Sequence, residues 1–228
     1  MTCHVDAESL STFREHYRRT EIGPHYSGWA HLAFTTLASL LAVGICAAGA
    51  EQVTAPEWLT IPAIFLYANI VEYWGHRIPM HRPVRGLKTI YKRHAGQHHR
   101  FFTHEEMKFD STRDYHAVLF PPLMIMFFLG GMALPLWVVL YLFATANVAW
   151  LAVATAFAYF LNYEWLHFAY HCDPESPAGR IPGVQRLRRL HRDHHDPALM
   201  TRYNFNISYP VGDWLFGTRY RAPGGNLP

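Results

Sequence analysis

The distribution of positive charge constrains this chain more than any other feature. All 20 of its Lys and Arg residues fall in segments 1–28, 75–116 and 172–228, which leaves segments 29–74 and 117–171 with none. Those two stretches are 46 and 55 residues long, and their only acids are Glu51, Glu57, Glu72 and Glu164. A helix needs about 20 mainly apolar residues to cross a hydrocarbon core of roughly 30 Å, so each stretch has room for two crossings.

Both stretches carry internal breaks. The first is interrupted by the sequence EQVTAPE, where Pro56 and two acids mark a turn. The second is expected to break from Gly130-Gly131 through Pro135, after a short piece that Pro121-Pro122 would bend or begin. That short piece is as readily a half-embedded segment as a full span. Two hairpins place every Lys and Arg on one side, as the positive-inside rule requires.

The expected fold is therefore an all-α integral membrane protein. About four transmembrane helices form two hairpins, spanning 29–74 and 117–171. Segments 75–116 and 172–228 form a cytoplasmic, histidine-rich, metal-binding cap. Segment 1–28 is a cytoplasmic N-terminal piece, and 29–228 is a single membrane domain. Both termini are expected in the cytoplasm, in a bacterial inner membrane or, in a eukaryote, the endoplasmic reticulum. The rival is a soluble all-α protein that buries both hairpins. No cleavable signal, internal repeat or low-complexity tract is readable.

Composition narrows the function. With 15% aromatic and 16% charged residues the chain is not disordered. Its three cysteines, Cys3, Cys46 and Cys172, form no CxxC pair, so neither a disulfide framework nor a cysteine zinc site is expected. A net charge of +3 gives no reason to expect a nucleic-acid partner.

Histidine is the informative residue, with 16 copies. Ten of them form four groups beside the polar segments: HRIPMH (His76, His81), HAGQHH (His94, His98, His99), HFAYH (His167, His171) and HRDHH (His191, His194, His195). On a helix, residues four apart share a face. That spacing pairs His94 with His98, His167 with His171 and His191 with His195, while the adjacent His98/His99 and His194/His195 fan apart by about 100°. His76 and His81 are five apart with Pro79 between, so a helix is expected to end there. Neutral imidazoles suit iron, zinc, copper or nickel rather than calcium or magnesium. Ten donors exceed the needs of one ion, so two ions with about five ligands each is the natural count. Two metals with open positions are what dioxygen activation requires. His4, His16, His25 and His31 read as interfacial or satisfied core residues, and His104 and His116 as surface or supporting residues.

On these motifs the chain resembles the fatty acid hydroxylase / sterol desaturase superfamily of membrane diiron oxygenases. The segments HAGQHH, FDSTRDYHAVLFPP, NYEWLHFAYH and RRLHRDHH, within about residues 60–220, look closest to its fatty acid 2-hydroxylase branch. The second group here is HxxxHH, whereas that branch is associated with HxxHH. The resemblance implies as metal ligands His76, His81, His94, His98, His99, His167, His171, His191, His194 and His195. It also implies two irons (zinc can replace iron in a purified sample), O2 as co-substrate and a membrane lipid or fatty acyl substrate. The 28-residue N-terminal segment is too short for a fused cytochrome b5 domain, so a separate carrier, cytochrome b5-like or a ferredoxin, is expected to deliver the electrons. Lipid C–H hydroxylation, desaturation or sterol oxidation, and non-catalytic metal binding or transport all remain open at this level.

Ligating histidines usually donate their second N–H to a carboxylate or carbonyl. Glu164, three residues before His167 in an apolar helix, is the candidate for such a supporting catalytic role. Asp193, Asp196 and Asp110 are weaker candidates. Arg186, Arg188, Arg189 and Arg192 can bind anionic head groups or anchor the cytoplasmic face. The VGDWLFGTRY tail can lie at the interface or close the site.

Overall fold

The computed structural model describes residues 7–222, which form helices and turns with no strand among them. The reading of His4, and the cysteine at position 3, lie outside these residues. Helix α1 (Ala7–Thr20) turns Leu10, Phe13, Arg14 and Tyr17 inward at helical spacing and leaves Ser11, Glu15, His16 and Arg19 exposed. Ser27 caps helix α2 (Gly28–Gly49), its hydroxyl accepting from Ala30 N–H at 3.3 Å. A 3-10 turn at Glu57–Leu59 leads into α3 (Thr60–Gly75), completing the first hairpin around Pro56.

The second hairpin departs from expectation. Helix α6 (Pro122–Phe127), a π-helical stretch (Phe128–Ala133) and helix α7 (Leu134–Phe143) run on without interruption. The break expected at Gly130–Pro135 is therefore not a turn. Pro135 lies in the first turn of α7, and the wide π turn before it absorbs the missing N–H. The chain reverses instead at Ala144, and the Thr145 hydroxyl caps α8 (Ala146–Tyr170) by accepting from Val148 N–H at 3.2 Å.

Helix α8 is the axis around which the others pack. Its small residues Ala149 and Ala152 are fully buried, and Val153 and Phe157 meet Cys46 of α2 and Ile125 of α6 in one apolar cluster. Gly49 lets α2 approach closely, since a Cβ there would lie 2.6 Å from the Trp150 ring. At one end of the bundle the two hairpin turns are tied together. Asn147 Nδ2 donates to Glu51 O at 2.9 Å, and the Thr145 hydroxyl donates to Glu57 Oε1 at 2.6 Å. At the other end Gly28 sits against Thr112 O, and His31 meets Phe120 O at 2.9 Å.

The outer faces of α2, α3, α6 and α7 are apolar and open: Leu41 is 64% exposed, Leu123 76% and Phe143 83%. A soluble protein rarely leaves so large an apolar surface uncovered, which argues against the soluble alternative with buried hairpins. Two stretches, Gly28–Gly49 and Thr112–Phe143, are long and apolar enough to cross a membrane.

The polar segments form the cap. They contain a π-helical turn at His76–Met80, α4 (Lys88–Tyr91), a second π-helical stretch at Lys92–His98, α5 (His99–Phe101) and α9 (Val184–His194). A 3-10 segment (Thr112–Ala117) and α10 (Val211–Leu215) complete it. The tail threads inward before α10, burying Phe205, Asn206, Ile207 and Ser208. Gly212 allows this approach, because a Cβ there would sit 2.8 Å from Tyr73. Cys46 and Cys172 are free thiols.

Candidate metal centre

The four histidine groups converge on the cap side of the bundle, and no imidazole among the ten is more than 9% exposed. They sort into two sets. The donor atoms of His76, His81, His94, His99 and His194 lie within 4.8 Å of one another, as do those of His98, His171, His191 and His195. His167 joins the second set, its Nε2 lying 3.2 Å from that of His98.

The sets cut across the groups in the sequence. His94 and His98, expected to share a face, belong to different sets. The cause is the π-helical stretch at Lys92–His98, whose wider turn brings residues five apart into line. His94 thus meets His99, Nε2 to Nε2, at 3.1 Å. The π turn at His76–Met80 does the same for His76 and His81, also at 3.1 Å. On α9, an ordinary helix, the expected pair His191/His195 forms at 3.1 Å. The adjacent pairs behave as their fan predicts: His98/His99 and His194/His195 each send one ring to each set.

Hydrogen bonding fixes which nitrogen of several rings is free. A carbonyl can only accept, so a ring nitrogen beside one carries the proton. His76 Nδ1–H donates to Phe205 O at 2.5 Å and His194 Nδ1–H to Tyr203 O at 2.9 Å. In the second set, Nδ1–H of His98, His171 and His195 donates to Ala117 O, Met107 O and Phe102 O at 2.9, 2.7 and 2.6 Å. The Nε2 atoms of these five rings are therefore bare lone pairs. His98 and His195 face each other Nε2 to Nε2 at 3.2 Å, an arrangement that repels unless a cation lies between them.

The donor set fits a metal. At a metal–nitrogen distance of about 2.0–2.1 Å, ligands 90° apart are separated by roughly 2.9 Å and tetrahedral ones by roughly 3.4 Å. The closest Nε2 separations run from 2.8 Å (His76–His94) to 3.2 Å (His171–His191). Burial also keeps the rings neutral, because an imidazolium here would lose its water. It pushes His81 down to about 2 and His194 down to about 4, and holds His76, His94, His98, His99, His191 and His195 well below the usual range.

Carbonyls, rather than the candidate carboxylates, orient these rings. Glu164 is buried in α8; its Oε2 accepts from Phe120 N–H at 3.1 Å, and its Oε1 has no hydrogen-bond partner among the described residues. Asp193 lies beside Arg192, Asp196 caps the Ala198 N–H at 2.8 Å, and Asp110 binds Arg14 and Arg18. None of the three hydrogen-bonds to an imidazole among the described residues. Arg186, Arg189 and Arg192 are exposed, and Arg188 is half-buried.

The other histidines among the described residues stand apart from the sets. His16 and His25 are exposed and His104 is half-buried. His31 is a satisfied core residue between Tyr26 and Phe120 O, and His116 bonds Tyr17 OH at 2.9 Å. In the VGDWLFGTRY tail Gly212 and Asp213 are buried while Trp214 and Leu215 are exposed; the carbonyls that reach the imidazoles belong to Tyr203 and Phe205, just before it.

Sequence reasoning overlooked Glu72. Its carboxylate takes the Tyr159 and Ser208 hydroxyls and the Ile207 and Ser208 amides, fastening the tail to α3 and α8. The signal was available, because Glu72 precedes His76 by four residues in an apolar segment, much as Glu164 precedes His167.

Comparison with known proteins agrees with this architecture. The family model described as fatty acid hydroxylase matches residues 61–218. No curated protein matches the chain significantly. A structure of full-length Scs7p, in which only the hydroxylase domain is visible, is similar in fold with a TM-score of 0.59 and 17% identity. The match covers 89% of this chain and 69% of that one. Two buried sets of imidazoles at the end of an apolar helical bundle, and a family match that contains all ten of them, lead to one conclusion: the chain belongs to the fatty acid hydroxylase family.

Proposed function

We propose that the protein is a membrane diiron oxygenase that hydroxylates a C–H bond of a lipid acyl chain, using O2 and two electrons from a separate carrier. The observation that carries this reading is the sorting of ten buried imidazoles into two sets, with bare Nε2 lone pairs held about 3 Å apart. His76, His81, His94, His99 and His194 would hold one iron, and His98, His167, His171, His191 and His195 the other. When bound, the irons supply reductive activation of O2. The net reaction consumes the lipid, O2, two electrons and two protons, and gives the hydroxylated lipid and water.

The chain's own residues do the rest. The backbone carbonyls of Phe102, Met107, Ala117, Tyr203 and Phe205 hold each partner ring in the tautomer that presents Nε2. Phe102 and Phe205, both fully buried, lie against rings of the two sets and keep water out. Glu164 positions the start of the second hairpin through Phe120, and its buried Oε1, without a hydrogen-bond partner among the described residues, is left to hold a proton or a water.

The exposed apolar faces of α2, α3 and the run from α6 through α7, packed around a buried α8, support four crossings. At about 1.5 Å per residue, the 25 residues of α8 reach roughly 37 Å, enough to span the core and enter the cap. The histidine cap and both termini then lie in the cytoplasm, in a bacterial inner membrane or the endoplasmic reticulum. An acyl chain would enter from the bilayer, with an anionic head near Arg186, Arg189 and Arg192. A cytochrome b5-like protein or ferredoxin would dock on the cap.

Untargeted lipid mass spectrometry tests the reading in cells expressing the wild type or His195→Ala together with an electron carrier. A lipid that gains one oxygen only with the wild type is the expected result. Loss of two hydrogens would assign desaturation instead, and identical lipid profiles would contradict an oxygenase.

A further inference from the structure

The two imidazole sets take their orientation from different parts of the chain. In the first set the accepting carbonyls are Tyr203 and Phe205, in the tail. In the second they are Phe102, Met107 and Ala117, between α5 and α6. Much of both stretches is irregular backbone, so no regular ladder of hydrogen bonds fixes where these carbonyls point. Each stretch is tied down by a charged side chain from elsewhere.

For the first set that side chain is Asp213 of α10. Its two oxygens accept the Phe205 and Asn206 amides at 2.9 and 2.8 Å, gripping the peptides on either side of Phe205 Cα. For the second set it is Arg14 of α1, which is 5% exposed. Its Nε donates to Phe101 O at 2.9 Å, one terminal nitrogen to Glu106 O at 3.0 Å, and the other to both Asp110 oxygens at 3.1 and 3.0 Å. Phe101 and Glu106 immediately precede Phe102 and Met107, whose carbonyls orient His195 and His171. A guanidinium is a rigid fork of donors, so one side chain fixes both peptides relative to each other. Arg18 braces the arrangement from the same helix through Asp110 and Asp114.

We propose that Arg14 is a positioning residue for the second imidazole set and Asp213 for the first, so that the two metal ions rest on separable supports. This rests on the metal-centre reading above. Arg14 lies outside residues 61–218, so the N-terminal helix contributes to a site whose ligands all lie within the family match. Losing an outer partner of a ligating histidine typically weakens metal binding by about 10–100-fold.

The test uses the full chain purified in detergent, stripped by a chelator and titrated with cobalt(II), reading bound metal and the visible ligand-field spectrum. The wild type should take two cobalt ions. His81→Ala removes a ligand of the first set and His191→Ala one of the second, leaving one intact set in each background. Arg14→Gln should weaken the remaining ion about 10–100-fold in the His81→Ala background and leave it unchanged in the His191→Ala background. Asp213→Asn should give the opposite pattern. Arg14→Lys, which keeps a charge beside Asp110 but not the fork, carries the same expectation if Arg14→Gln does not fold. Equal weakening in both backgrounds, or none in either, would overturn the separable supports while leaving two ions on the wild type. A wild type that binds no cobalt would overturn the metal centre itself.

Discussion

At the scale of single residues, the site depends on keeping imidazoles neutral and presenting the correct nitrogen. In the folded chain burial holds His194 down to about 4 and His81 down to about 2, whereas an unfolded imidazole titrates near 6.5. Below that pH the unfolded chain binds more protons than the folded one, so stability falls as pH falls from about 6.5 towards 4. The metal-free protein should therefore melt at a lower temperature at pH 5.5 than at pH 7.5, and an unchanged or higher melting temperature would count against neutral rings. Glu164 gives a second residue-level prediction. Because one of its oxygens caps Phe120 and the other is unpartnered, Glu164→Gln should keep the fold and the metal content but lower product formation at least about tenfold. Undiminished turnover would leave Glu164 a purely structural role. The histidine groups were legible in the sequence because spacing and clustering are local properties. Their supporting carbonyls were not, since any residue type can offer one and only the fold decides which does.

At the scale of elements, the two π-helical stretches of the cap explain where a helical-wheel reading fails. Four-residue spacing predicts the His191/His195 pair on α9, which is regular, and mispairs His94 with His98, where the turn is wider. A π turn has no strong signature in residue type, so the five-residue spacing of His76/His81 was the only hint. The continuous path through Gly130-Gly131 has the same origin, because glycine and proline signalled a turn where a wide helical turn accommodates both. Close packing gives a sharper test of the helix arrangement. A Cβ on Gly28 would lie 1.9 Å from Thr112 O, whereas one on Gly44, in the same helix, meets nothing within 4 Å. Gly28→Ala should destabilise the protein by about 1–3 kcal/mol or more. Gly44→Ala should be neutral or stabilise it by about 0.5–1 kcal/mol. Denaturation of both variants in the same detergent checks the difference, and equal stabilities would contradict the approach of α2 to the cap.

At the scale of the whole molecule, the segregation of Lys and Arg made the two-hairpin plan readable, and the structure shows how that plan brings the histidines together. Glu51, Glu57, Thr145 and Asn147 tie the hairpin turns at one end, which leaves the other ends of α3 and α8 side by side to deliver His76, His167 and His171. What the sequence could not show is the convergence of α9, the tail and α1 on that end, since many of those contacts join residues more than 80 positions apart, as in Arg14 with Phe101 or His81 with His194. Reporter fusions at the two termini should both read cytoplasmic, and a single external terminus would break the proposed topology. The most direct test of the account is the number of iron ions bound per chain in the purified full-length protein. Two ions are predicted for the wild type and one each for His81→Ala and His191→Ala; a single ion in the wild type, or two in either variant, would contradict a centre built from two imidazole sets.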